Sequence, residues 1–327
     1  MTALFLAFAL ALQTSPPPME QGRELTSLFY EGKDAEVWSR FSDRAKQGFG
    51  GIATLTALRA KVAEQAGIET AIVDERVEVA GGASIYVRIS RFTKTQGRVA
   101  VQWTFGSTGA VETFSIRAVP QEAPTDRLDY VTKTALRLPF TGSWFVGWGG
   151  RTLKDNYHAA SVAQRFAYDL LMTRGGSTHA GDGKRNEDYY CFGQKLVAPG
   201  PGTVVSVENA IDDNAPGVMN PKAPLGNHVI IDHGNGEFSF LAHFQKGSVT
   251  VKPGDVVKTS DLLGLTGNSG NSSEPHLHYH LQDSAQFGKG RGMPAPFEDY
   301  VADGKPVKRG EPVKGQTIEA PSSRSSS

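Results

Sequence analysis

Pro275-His276-Leu277-His278-Tyr279-His280 is the stretch on which the reading of the chain turns. In an extended strand, residues i, i+2 and i+4 share a face. Three imidazoles then line one side, while Leu277, Tyr279 and Leu281 pack on the other. Buried imidazoles need polar partners, so a row of three is poor packing material and points to metal binding or acid–base chemistry. All eight histidines lie between His158 and His280, and residues 1–157 contain none. Imidazole is the commonest neutral zinc ligand and the side chain that titrates nearest neutral pH, so such a site belongs to the second half of the chain. A catalytic zinc takes three protein ligands and keeps one position open for water. The strand supplies one or two of them. Gln164-Arg-Phe-Ala-Tyr-Asp169 is a strand candidate that puts Asp169 on one face with Arg165 and Ala167. His158 stands eleven residues before Asp169, in a loop, and His179-Ala-Gly-Asp182 is a rival pair among glycines.

Outward from this stretch, the chain from Phe166 onward reads as short strands with glycine turns. Leu196 to Val207 gives a strand, a turn and a strand. His228-Val-Ile-Ile-Asp-His233 ends in Gly234-Asn-Gly236, a hairpin signal, and Phe238 to His243 pairs back. Val249 to Val257 is another hairpin, and Leu277 to Leu281 is the last clear strand. His233 reads as a turn residue, His228 as structural or rim, and His280 as a support or groove wall. Ile211 to Leu225 reads as a solvated loop or groove wall. Cys191, the only cysteine, reads as a small buried hydrophobe. No intramolecular disulfide is possible, so stability has to come from the core.

The first half has a different pattern. Leu25, Leu28 and Phe29, then Val37, Trp38 and Phe41, then Leu55, Leu58 and Val62 give helical faces, with Gly67 closing the third. Alternation follows at Ile85, Val87 and Ile89, at Val99 to Phe105, and at Phe114 and Ile116, with Gly81-Gly82 and Gly106 to Gly109 as turns. Helices followed by an antiparallel meander predict an α+β domain over 20–120. The order of its elements is similar to that of cystatin-like or NTF2-like domains, which implies a packing or substrate-positioning module. Pro120 to Pro124 marks a linker, and 121–150 is expected to hold that linker and the first strand of the second domain. Residues 301–327, rich in Lys, Pro, Gly and Ser, are expected to be a flexible tail.

Composition sets the outer limits. The 327 residues carry 34 Lys plus Arg against 34 Asp plus Glu, a net charge of zero. That balance lacks the basic footprint of a nucleic-acid binder, and 39% hydrophobic with 21% charged residues describes a globular chain. The nine apolar residues from Leu4 to Leu12 are too few to span a bilayer. With the small residues Ala9 and Ala11 they predict a secretory signal over 1–15, although no Lys or Arg precedes them. No cysteine follows to carry a lipid, so a periplasmic or extracellular location is expected.

A longer motif adds a family resemblance. Leu263-Gly-Leu-Thr-Gly-Asn-Ser-Gly-Asn-Ser-Ser-Glu-Pro-His-Leu-His-Tyr279 resembles the closing signature of the M23 family, the lysostaphin/LytM-type zinc metallopeptidases. Asn227 to Glu237 with Phe240-Leu-Ala-His243 resembles the hairpin leading to that family's catalytic His, and Val197 to Val204 its early strand pair. The resemblance covers roughly 155–285. It implies a mainly-β antiparallel peptidase domain over 151–300, with Zn²⁺ held by His278 and by a His and an Asp upstream, and His243 and His276 catalytic. The family's usual upstream His-x-x-x-Asp is absent, since Arg165 stands four residues before Asp169. His158 with Asp169 is the favoured pair and His179 with Asp182 the rival. The implied activity is that of a secreted zinc metalloendopeptidase cutting the peptide stems or crossbridges of peptidoglycan. The alternative is a non-catalytic relative that binds the cell wall or regulates an amidase. A biotinyl/lipoyl-type carrier shares the shape of Val251 to Lys258 and Val197 to Val204, but it needs a lysine at a hairpin tip and leaves the imidazoles unexplained.

Overall fold

The computed structural model describes residues 16–95 and 97–320. The expected signal over 1–15 lies outside the described residues. The chain divides into two units, with the boundary between Gln121 and Glu122.

In the first unit, helix α1 (Pro18–Glu31) starts with a proline in its first turn and is stopped by Gly32, whose φ of 81° is the left-handed cap that glycine tolerates. It is followed by α2 (Asp34–Ser39), α3 (Asp43–Phe49) and α4 (Ile52–Gln65). Ser42 caps α3 by accepting from the Ala45 N–H. The strands β1 (Glu69–Ala80), β2 (Ala83–Phe92), β3 (Arg98–Phe105) and β4 (Val111–Val119) form an antiparallel meander in chain order. Leu25, Phe29, Val37 and Leu55 from the helices, with Phe41 from the connection between α2 and α3, bury against Tyr86, Trp103, Phe105 and Phe114. The Trp103 indole N–H donates to Thr26 Oγ1 at 2.9 Å. Strand β1 escapes the sequence pattern because most of it is exposed and Glu75 interrupts the alternation of Ala71, Val73, Val77 and Val79.

The second unit is dominated by one antiparallel sheet. Its strands are β5 (Ser143–Trp148), β6 (Tyr168–Leu171), β7 (Lys195–Val197), β8 (Gly202–Glu208), β9 (Asn227–Asp232), β10 (Phe238–Phe244), β11 (Val256–Val257), β12 (Leu262–Leu265), β13 (Leu277–Gln282), β14 (Gly292–Met293), β15 (Phe297–Ala302), β16 (Lys305–Gly310) and β17 (Thr317–Glu319). The sheet runs β11-β8-β9-β10-β13-β6-β5-β17-β15-β16, with β14 beside β13 and β12-β7 as a separate pair. Most of the described strand content is therefore antiparallel β. β13 lies between β10 and β6 and sends Leu277, Tyr279 and Leu281, all fully buried, into the core with Val229, Leu241 and Phe297.

Two local expectations change. Residues 301–320 are not a flexible tail: β16 and β17 are strands, and Ile318 is fully buried where β17 joins β5 to β15. The Lys- and Pro-rich composition hid the apolar positions Val307 and Ile318. Leu136, Leu138 and Phe140, in the stretch expected to lead into the first strand of the second domain, belong to its core. Gln164 to Ala167 is a turn rather than strand, closed by Ala167 N–H donating to the Gln164 carbonyl at 2.9 Å. Arg165 consequently shares no strand face with Asp169. Its guanidinium binds the Ala123 and Ala159 carbonyls and Glu122.

Glu237 pins residues 130–134 onto the sheet. Fully buried, its carboxylate accepts from Tyr130 Oη at 2.9 Å, the backbone N–H of Lys133 at 2.7 Å and of Thr134 at 2.8 Å, and the Thr134 hydroxyl. Burial alone would raise its pKa, but these donors outweigh it and hold the group below the usual range. A depressed carboxyl contributes stability that is complete above the unfolded value, about 4.3, and fades as the pH falls through the folded one. Glu237→Gln turns one acceptor oxygen into a donor facing donors and is expected to cost about 1–3 kcal/mol at neutral pH. Denaturant unfolding at pH 7 and pH 4 measures this: the gap between wild type and variant should narrow in acid, and an equal gap at both would contradict the account.

Candidate metal centre

Three neighbouring strands and one turn deliver the polar groups. His278 on β13 is the cross-strand partner of Asp169 on β6 and of Ala242 on β10, and directly paired residues bring their Cβ atoms to about 5 Å. His243 follows Ala242 at a break in the β10 register, with φ of 68°, a conformation unusual for a residue with a Cβ. His276 directly precedes β13. His158 sits in a single 3₁₀ turn, Tyr157–Ala160, capped by Asn156.

His158, Asp169 and His278 are buried, and each offers one atom such that the three atoms lie within 4.8 Å of one another. Asp169 Oδ1 is 2.9 Å from His278 Nδ1 and 3.6 Å from His158 Nε2. His276 Nε2 also lies 3.6 Å from Asp169 Oδ1. The His243 ring stands 4.7 Å from that of His276, centre to centre. His179 and Asp182 are not in this cluster. His179 rests against the Tyr189 ring, and Asp182 pairs with Lys184 on the surface.

Hydrogen bonds determine which nitrogen of each ring faces the cluster. Asn156 donates through Nδ2 to the Gly150 and Ala167 carbonyls at 2.9 Å each, so its Oδ1 accepts the Nδ1–H of His158 at 2.9 Å. The Nε2 lone pair of His158 therefore points at Asp169. His243 Nδ1–H donates to the Ser269 carbonyl at 2.7 Å and His276 Nδ1–H to the Glu274 carbonyl at 2.8 Å, which leaves Nε2 of both as acceptors. Tyr157 Oη donates to Asp169 Oδ2 at 3.1 Å, so Oδ1 is the carboxylate oxygen left for the cluster.

Burial pushes His158 down to about 4 and His243 and His280 well below the ordinary imidazole value. For Asp169, burial alone would raise the pKa. The His158 and His276 rings and the His278 hydrogen bond outweigh it and hold the carboxyl far below the usual range. The donor set suits a zinc-type ion: two imidazole nitrogens and a carboxylate oxygen match catalytic zinc sites. Ligands about 2.0–2.1 Å from a tetrahedral ion stand about 3.3–3.4 Å apart, and the measured 2.9 and 3.6 Å bracket that spacing.

Two hollows border the cluster, and Tyr157 lines both. One of ≈ 310 Å³ is lined by His158, Gln164, Leu225, His278 and Phe287. The other, of ≈ 640 Å³, is lined by Trp148, Asp169, Thr178, Glu274 and His276. Tyr157 is half exposed.

The remaining candidates have structural roles. His233 bridges the Pro201 carbonyl and Ser239 Oγ at 2.7 Å each, and His228 bonds the Gly226 carbonyl at 2.9 Å. Cys191 is fully buried, its thiol pushed up to about 12 by burial, so it offers no nucleophile. Sequence reasoning missed Asn156, Tyr157 and Gln282. The first two had only their proximity to His158 as a signal.

Residues 187–289 match the profile of Peptidase family M23. Peptidoglycan DD-endopeptidase ShyA of Vibrio cholerae serotype O1 is 36% identical over 90 residues, which is 28% of this chain and 18% of that protein. An uncharacterized metalloprotease of Buchnera aphidicola subsp. Baizongia pistaciae is 39% identical over 66 residues, 20% of this chain and 17% of that protein. The chain thus spans less than a fifth of the length of either relative. The catalytic domain of the antimicrobial peptidase lysostaphin from Staphylococcus simulans aligns over 46% of this chain and 86% of that one, at 20% identity and a TM-score of 0.28.

Gly270 tests the loop that orients His243. Its φ is +81°, and a Cβ there would meet the Gly226 nitrogen at 2.3 Å and the Ala223 carbonyl at 2.6 Å. Gly270→Ala is expected to cost at least about 1–3 kcal/mol and to displace the adjacent Ser269 carbonyl. Calorimetry together with the NMR signal of the His243 Nδ1–H reads both effects, and an unshifted proton would show that this loop does not hold the ring.

Proposed function

We propose that the chain is a zinc metalloendopeptidase that hydrolyses peptide bonds in the stems or crossbridges of peptidoglycan, acting in the periplasm or outside the cell. The observation that carries this reading is the convergence of His158 Nε2, Asp169 Oδ1 and His278 Nδ1 from three separate parts of the chain, with His243 and His276 beside them. His158, Asp169 and His278 would hold Zn²⁺. When bound, the ion supplies Lewis acidity, which acidifies water and polarises a peptide carbonyl.

The chain's own groups do the remaining work. His243 and His276 each have Nδ1–H committed to a backbone carbonyl, so proton uptake is confined to Nε2. One such nitrogen within reach of an attacking water would take its proton as general base and pass that proton to the leaving amine as the C–N bond breaks; the other, after taking up a solvent proton, would donate a hydrogen bond to the developing oxyanion. Tyr157 holds Asp169 Oδ2, which keeps Oδ1 as the ligand atom. The two hollows give the chain on each side of a scissile bond a place to lie.

The substrate follows from the family and from the DD-endopeptidase relative. No described helix is long and apolar enough to cross a membrane. A non-catalytic regulator of this family would be expected to lack members of the donor set, and all five side chains stand together here.

The test is metal analysis and turbidity clearance of purified sacculi with the full chain. Wild type should bind one zinc; His158→Ala and His278→Ala should lose both zinc and activity, whereas His179→Ala should keep them. His243→Ala should retain zinc and slow clearance by about 10²–10⁴-fold. Full activity in His278→Ala would end the proposal.

A further inference from the structure

The side chains of His278, His280 and Gln282 share one face of β13, and all are buried: 4%, 1% and 0% exposed. They form an unbroken hydrogen-bonded row. Gln282 Nε2 lies 2.6 Å from the Ser284 carbonyl and 2.9 Å from the Gln286 carbonyl. Carbonyls only accept, so the amide nitrogen must face them and Oε1 must face the other way. Oε1 is 3.3 Å from His280 Nε2. An amide oxygen is also only an acceptor, so His280 Nε2 carries the proton and its Nδ1 carries a lone pair. That lone pair lies 3.0 Å from His278 Nε2, which must therefore be the N–H. The polarity of the row is set at the Ser284 and Gln286 backbone and propagates over three side chains to the ring beside Asp169.

We propose that His280 and Gln282 are positioning residues that keep the proton of His278 on Nε2, so that its Nδ1 lone pair is always presented beside Asp169 Oδ1 to a divalent cation. The inference rests on the reading of His278 as a zinc ligand. Two acceptor atoms 2.9 Å apart repel unless a proton or a cation lies between them, so the row builds demand for a positive charge into the site. The His280 ring is clamped for this task. It stacks on Phe240 at 4.5 Å, with planes 16° apart, and Phe287 stands 6.2 Å away. Buried at this depth, it meets no water that could compete for Nδ1. Of the two roles expected for His280, support and groove wall, the row corresponds to the first, and neither hollow beside the cluster is lined by it.

Partners that orient metal-binding imidazoles typically change affinity by about 10–100-fold when removed. His280→Phe keeps a ring against Phe240 and removes the acceptor. His280→Asn replaces Nδ1 with an amide oxygen at a similar distance from the backbone. The measurement is zinc affinity of the full chain by competition with a chromogenic chelator at fixed pH. His280→Phe should weaken binding by about 10–100-fold and His280→Asn should retain most of it. Nitrogen-15 histidine NMR of wild type, with and without zinc, should find a proton on His278 Nε2 in both states.

Unchanged affinity in a folded His280→Phe, or a His278 Nε2 without a proton, would overturn the proposal. Should His280→Phe fail to fold, the wild-type NMR decides. Should wild type bind no zinc, the functional reading above fails, while the same NMR spectrum still passes or sinks the row.

Discussion

Asp169 is a buried carboxylate whose only ionic partners among the described residues are imidazoles. Burying an unpaired charge is costly, and proteins normally supply a lysine, an arginine or a metal. Here Arg165, four residues away, is turned aside to the Ala123 and Ala159 carbonyls. The imidazoles around Asp169 are themselves held low by burial where a shift is resolved. The site therefore concentrates one negative charge and several nitrogen lone pairs in a small dry volume. That arrangement is favourable when a divalent cation sits among them.

The rest of the second unit can be understood as the means of holding those groups in place. Each imidazole has two nitrogens, and a site of this kind works only if the correct one faces inward. The chain uses neutral acceptors throughout: the amide of Asn156 for His158, backbone carbonyls of Ser269 and Glu274 for His243 and His276, and the His280–Gln282 row for His278. Sheet order adds the second requirement. With β13 between β10 and β6, cross-strand pairing alone brings Asp169 opposite His278 and places His243 one residue beyond Ala242.

The parts of this arrangement legible in the sequence were those carried by local period and residue type. His276, His278 and His280 stand out because period-two alternation puts them on one face, and the Asn235-Gly236 turn marks its hairpin. The helices of the first unit were readable from Leu25, Phe29, Val37 and Leu55 for the same reason. Asp169 and His158 were harder. β6 has only four residues, all buried, so it shows no alternation, and the His158 turn has no pattern at all. Both also precede the 187–289 segment that matches the family profile. Asn156, Tyr157 and Gln282 were illegible because an amide or phenol becomes significant only through contacts made in the folded chain. β16 and β17 were hidden by composition, since a Lys-rich strand on a sheet margin and a strand of three residues differ little from a tail until Val307 and Ile318 are seen to pack.

These features couple the metal to the fold. A cluster of converging lone pairs is repulsive in the metal-free chain, and the sheet holds it together through the core beneath β13, where Leu277, Tyr279 and Leu281 are fully buried. The apolar face of the strand thus supplies the free energy that keeps the polar face assembled. A ligand that binds only the assembled face returns stability to the fold by mass action. The same strand is consequently the centre of the core and the wall of the site, and its two faces cannot be altered independently. This is why a hydrogen-bonded row that starts from loop carbonyls and runs through buried side chains is an effective way to orient His278: His280 and Gln282 are held by packing that the fold already requires.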